Sequence, residues 1–133
     1  MLVDAGPLVA LIDAADRWHP ACVAFVKTLR RPLVTVWPAF TEAMYLLNFS
    51  MRAQEQLWAL METGSLTLAP LTSRDAKRMR ELMQTYADQP MDLADAALLH
   101  VAERDRLGEI FTLDRRHFGV YRLHGRRRLT LKP

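Results

Sequence analysis

Short apolar runs alternate with helical stretches along this chain, and that alternation restricts the fold more than any other feature of the sequence. Residues 1–4, 33–37, 66–69, 109–113 and a short 129–131 read as strands. Between them, residues 8–15, 20–29, 38–49, 52–62, 73–87 and 92–105 read as helices. Pro20 suits a first helical turn, and Val23, Val26 and Leu29, with Cys22 and Phe25, keep helical spacing. Residues 38–49 are apolar on nearly every side, which predicts a buried helix. Thr63-Gly64 ends one helix and Gly108 caps another, while Ala76, Met79, Leu82, Met83 and Tyr86 form the apolar face of a third. Strands separated by helices imply an α/β fold, with a mainly parallel central sheet covered on both faces. Ligands of such sheets bind beyond the carboxyl ends of the strands. Asp4 and Asp114 both fall at such ends.

The 133 residues suit a single domain, 1–133, with a sizeable core. Hydrophobic residues make up 50% and charged residues 25%, as in ordinary globular proteins. The single cysteine, Cys22, has no internal disulfide partner and fits a reducing compartment. No cationic segment precedes the first apolar run, which Asp4, Gly6 and Pro7 interrupt, so no signal peptide is expected. The stretch 32–51 has the length of a membrane span, but Pro32, Pro38, Glu42 and Asn48 argue for a buried strand and helix. The expectation is a cytoplasmic protein with no membrane partner. The net charge of +3 is uneven: residues 1–99 carry nine basic and eleven acidic side chains, and residues 100–133 carry nine and four. A basic end beside acidic residues suits a polyanionic substrate, though a solvated face explains the charge as well.

Four carboxylates stand in costly surroundings. Asp4 is the only charged side chain in residues 1–12, and Glu42 the only one in residues 32–51. Asp95 opens an alanine- and leucine-rich run, and Asp114 ends the run Ile110-Phe-Thr-Leu113. A buried, unpaired carboxylate costs several kcal/mol, so such groups are paired, neutralised or bound to metal. Asp4 equally suits a helix cap, and Asp114 a cap for the turn Arg115-Arg-His-Phe118. Asp92, three residues before Asp95, fits an N-cap. Glu42 sits too far into its helix to cap it, and no basic residue lies three or four positions away. If the four converge, they repel, and a hard cation such as Mg2+ or Mn2+, one ion or two, makes them tolerable. Metal-assisted chemistry at phosphorus follows.

The segments Val3-Asp4-Ala-Gly-Pro-Leu-Val-Ala-Leu-Ile-Asp13, Thr41-Glu42, Asp92-Leu-Ala-Asp95-Ala-Ala and Thr112-Leu-Asp114-Arg-Arg-His-Phe118 together resemble the four acidic motifs of PIN-domain ribonucleases, and most closely the VapC toxins of bacterial toxin–antitoxin pairs. The resemblance runs in order along essentially the whole chain. It implies a three-layer α/β/α PIN-like fold with a four- to five-stranded sheet. It also implies an endoribonuclease in which Asp4, Glu42, Asp95 and Asp114 bind metal and catalyse, with Thr112 orienting the last of them. The implied partners are an RNA substrate, a cognate antitoxin and a second copy in a homodimer. One departure stands out: many relatives carry serine or threonine just after the first aspartate, where this chain has Ala5-Gly6. That missing hydroxyl keeps open a catalytically weak or inactive domain that only binds RNA or protein.

The remaining signals are thinner. The four histidines form no zinc spacing, and no glycine-rich phosphate loop is present. A phosphatase of the haloacid-dehalogenase kind would need an acid two residues after Asp4, where Gly6 stands. Arg115, Arg116, Arg126, Arg127 and Arg128, with His117, are candidates for contacts to RNA phosphates, or else ordinary surface charge. Trp58, Leu57, Leu60 and Met61 give the middle helix a broad apolar face, fit for the core or for a partner helix.

Overall fold

The computed structural model describes all residues, Met1–Pro133. Five short strands, β1 (Leu2–Val3), β2 (Leu33–Thr35), β3 (Leu66–Leu68), β4 (Glu109–Phe111) and β5 (Thr130–Lys132), form one sheet in the order β3-β2-β1-β4-β5. Every neighbouring pair is parallel. Leu2 lies opposite Ile110 and Val3 opposite Phe111. Successive strand residues face opposite sides, so Leu2 and Ile110 join one core while Val3 and Phe111 join the other.

Helices cover both faces. The first core takes Leu82 from α5 (Ala76–Thr85), Ala96 to Val101 from α6 (Leu93–Arg104) and Phe118 from α7 (Arg115–Val120). The second takes Ala5, Leu8 and Ala10 from α1 (Ala5–Ile12), Cys22 from α2 (His19–Val26) and Ala53 and Leu57 from α4 (Met51–Glu62). Helix α3 (Trp37–Leu46) serves both, with Ala39 in one and Phe40 and Ala43 in the other. This is the three-layer α/β/α arrangement with a five-stranded parallel sheet. No helix is long and apolar enough to cross a membrane.

Several boundaries differ from the sequence expectation for local reasons. Helix α1 starts at Ala5, not residue 8, because the Asp4 side chain accepts from the Ala5 N–H and caps the first turn. The expected helix over 73–87 divides into a 3-10 turn (Ser73–Asp75) and α5, set by reciprocal capping between Thr72 and Asp75. Residues 115–118, read as a turn, begin α7. The largest correction is α3. It was expected to be buried all round, yet Tyr45 is 71% exposed, and Trp37 and Leu46 about half. Its buried line, Ala39, Phe40 and Ala43, is narrow, so the opposite apolar side faces solvent.

Candidate active site

All four singled-out acids lie at the edge where the strands end. Asp4 follows β1 directly, and its N–H donates to Phe111 O at 3.0 Å. Asp114 follows β4 and caps α7, its carboxylate accepting from the His117 N–H at 3.0 Å. Glu42 is one turn into α3, which begins just past β2. Asp95 lies in the first turn of α6, and Asp92 caps that helix by accepting from the Asp95 N–H at 2.9 Å.

Second contacts fix three of the carboxylates. Thr112 is completely buried; its Oγ1 donates to Asp4 Oδ2 at 3.2 Å and accepts from the Asp114 N–H at 3.0 Å. Thr112, expected to orient Asp114, reaches it through the main chain. It touches only the backbone of Asp114, and the carboxylate it holds is Asp4. Tyr121, which sequence reasoning missed, donates its hydroxyl to Asp95 Oδ2 at 2.9 Å. Its ring is pinned edge-on by Tyr86 and Phe118. The only trace in the sequence is a tyrosine three residues after Phe118, too common a pattern to read. His117 Nδ1 bonds Asp114 Oδ2, so this histidine supports an acid where a phosphate contact was considered.

Electrostatics join the group. Burial pushes the Asp4 carboxyl up to about 6, with Glu42 and Asp92 adding repulsion against its backbone and Thr112 bonds. Burial likewise pushes Asp95 up to about 7, helped by the charges of Asp92, Asp4 and Asp114 and opposed by the Tyr121 bond. Glu42 is raised by desolvation and then by Asp92 and Asp95. None of these three has a cationic side chain among its influences. Glu42 was expected to be buried, however, and it is exposed at the rim. It shares a shallow groove of about 650 Å³ with Trp37, Tyr45 and Asp92. The side chains do not close into a tight cage: no three His, Cys, Asp or Glu stand close enough to enclose an ion by themselves.

The arginines divide between two edges. Arg115 and Arg116 open α7 beside Asp114, with Arg115 donating to Pro133 O and Arg116 free of ion pairs. Arg126, Arg127 and Arg128 precede β5 and so lie at the edge where the strands begin, away from the acids.

A family model described as PIN domain matches residues 1–123. The chain is 32% identical over 135 residues to Ribonuclease VapC26 of Mycobacterium tuberculosis (strain ATCC 25618 / H37Rv), covering 100% of both proteins. Among solved structures, Mycobacterium tuberculosis VapC20, described as a Sarcin-Ricin loop cleaving toxin, superposes with a TM-score of 0.78 at 17% identity. That alignment covers 86% of this chain and 90% of the other. A toxin–antitoxin complex from Klebsiella pneumoniae gives a TM-score of 0.66 at 22% identity, with 90% of each chain covered. These two establish the shared fold, while the family model and the full-length relative establish kinship: the chain belongs to the PIN-domain family as a VapC-type member.

Proposed function

We propose that this protein is a divalent-metal-dependent endoribonuclease, the toxin of a toxin–antitoxin pair, restrained by a cognate antitoxin protein. The observation that carries the reading is that Asp4 and Asp95 are both raised toward neutrality with only other acids around them. Capping α1 explains one oxygen of Asp4 but not the gathering of acids with no cation beside them, and perturbed acids of this kind mark functional sites. The end-to-end similarity to a protein named a ribonuclease supplies the substrate class.

The donor set fits Mg2+ or Mn2+, one ion or two. Every donor is a carboxylate oxygen, which suits hard cations, and Mg2+ commonly takes one or two carboxylates while keeping several waters. A closed cage is therefore unnecessary. Asp4, Glu42, Asp95 and Asp114 would hold the ion. When bound, such an ion offsets the charge that develops at a scissile phosphate. The chain's own residues prepare the place. Thr112 holds Asp4 by one oxygen, Tyr121 holds Asp95 by one oxygen, and His117 holds Asp114. Arg116, without an ion pair, is placed to draw in a phosphodiester. The binding-only alternative leaned on the missing hydroxyl after Asp4, and Thr112 Oγ1 supplies a hydroxyl to that same carboxylate.

Asp4→Asn and Asp95→Asn should retain the fold by circular dichroism and lose magnesium-dependent RNA cleavage. Undiminished cleavage by both would refute the nuclease reading. Growth arrest on expression, relieved by co-expressing the neighbouring reading frame, is the expected sign of the toxin and antitoxin roles. A homodimer is the expected state of the free protein, read by sedimentation at rising concentration.

A further inference from the structure

Six arginines, Arg30, Arg31, Arg106, Arg126, Arg127 and Arg128, are exposed, and none has a carboxylate within ion-pairing distance. All six lead into strands. Arg30 and Arg31 precede β2, Arg106 precedes β4, and the last three precede β5. Because every pairing is parallel, the segments that lead into strands lie at one edge, opposite Asp4 and Asp114. The register confirms the placement, since Thr130 lies opposite Glu109 and its N–H donates to Gly108 O at 2.8 Å. His124 Nε2, 3.3 Å from Glu103, sets the segment before Arg126 beside the last turn of α6. Strands β2 and β5 are three positions apart, about 14 Å at the usual strand spacing.

The acids around β4 on this edge are already engaged. Glu103 pairs with Arg78 at 2.8 Å, Asp105 with Arg104 at 2.8 Å and Glu109 with Lys132 at 3.6 Å. These three acids thus leave the arginines without an ion-pair partner. At the opposite edge the acids repel phosphate, and Arg115 and Arg116, beside Asp114, counter them in part. An RNA held at the acidic edge must draw much of its binding energy from cations elsewhere, since phosphate neutralisation dominates RNA affinity.

We propose that the edge where the strands begin is a second anchoring surface for RNA backbone, so that the favoured substrate is a folded or long RNA gripped at both edges. This rests on the ribonuclease reading for its substrate. With strands of three residues and their flanking turns, the two edges lie roughly 20 Å apart. That is on the order of six base pairs, at about 3.4 Å of helix axis per phosphate of one strand. A short oligonucleotide reaches one edge only.

The test compares a labelled RNA hairpin of about 24 nucleotides, whose stem of about ten base pairs exceeds that span, with a labelled tetranucleotide. The variant R126A/R127A is set against a charge-matched control, R52A/R80A. In EDTA, fluorescence anisotropy should show hairpin affinity reduced at least about tenfold in the variant, with the slope of log K against log salt shallower by about 2. With magnesium, kcat/KM for the hairpin should fall about tenfold relative to that for the tetranucleotide, whereas the control keeps the wild-type ratio. Equal hairpin affinity in variant and wild type overturns the proposal, as does an equal loss in the control. Lost antitoxin affinity with intact hairpin binding also overturns it, assigning the surface to an acidic protein segment. The EDTA measurement needs no cleavage, so a wild type that cuts neither RNA sinks the nuclease reading without deciding this one.

Discussion

Thr112 shows how much can depend on one hydroxyl. It stands between two acids that follow neighbouring strands far apart in sequence, donating to Asp4 Oδ2 and accepting from the Asp114 N–H. Thr112→Val keeps the shape but strands a backbone donor, at a cost of about 1–3 kcal/mol. It also frees Asp4 to turn, and loss of such a supporting contact typically lowers metal affinity by roughly 10–100-fold. Calorimetric titration with Mn2+ and a melting curve should show both losses; unchanged manganese affinity would mean the hydroxyl serves only folding. At this scale the sequence was partly legible. Acids isolated in apolar runs were visible because charge in such a run is anomalous. Tyr121 was invisible, because its bond to Asp95 spans 26 residues and no local pattern announces it.

Among the elements, α6 carries both ends of the story. Its Asp92 cap and Asp95 are three residues apart, and its body from Ala96 to Ala102 is almost wholly buried. Asp92→Ala removes the cap and should cost about 1 kcal/mol, partly returned by removing a charge that repels Asp4, Glu42 and Asp95. Asp92→Ser keeps a capping oxygen without the charge, so its melting temperature should match or exceed that of the native protein. An Asp92→Ser variant as unstable as Asp92→Ala would show that the carboxylate itself is needed. The contrast with α3 is instructive. The alternation of strands and helices was readable throughout, since periodicity reports local geometry. Which apolar side of α3 meets the core was not, because Tyr45, Leu46 and Phe49 look as burial-prone as Ala39, Phe40 and Ala43. Contact with α1 and α6 makes the choice, and those partners are distant in sequence.

For the molecule as a whole, the raised acids link stability to pH. The folded protein holds protons on Asp4 and Asp95 up to about 6 and 7, whereas in the unfolded chain they leave near the ordinary aspartate value of 3.8. Between those limits the folded state binds more protons at these two sites, so their contribution to stability is fully present below about pH 4 and falls as pH rises toward 7. Asp4 alone accounts for roughly 3 kcal/mol of that loss, and Asp95, which solvent partly reaches, adds less than its full shift. Melting curves in EDTA should decline over that interval. The decline should be shallower in Asp95→Asn and should be reversed by Mn2+ at neutral pH, because a bound ligand stabilises the state that binds it. A flat profile would mean the acids are better solvated than their surroundings suggest.

The sheet's outermost ladders, β3 and β5, are three residues each. So little open ladder offers poor purchase to a stray extended peptide. Growth into fibrils is thereby discouraged, even though Tyr45, Phe49 and Met51 leave an exposed apolar flank where α3 gives way to α4.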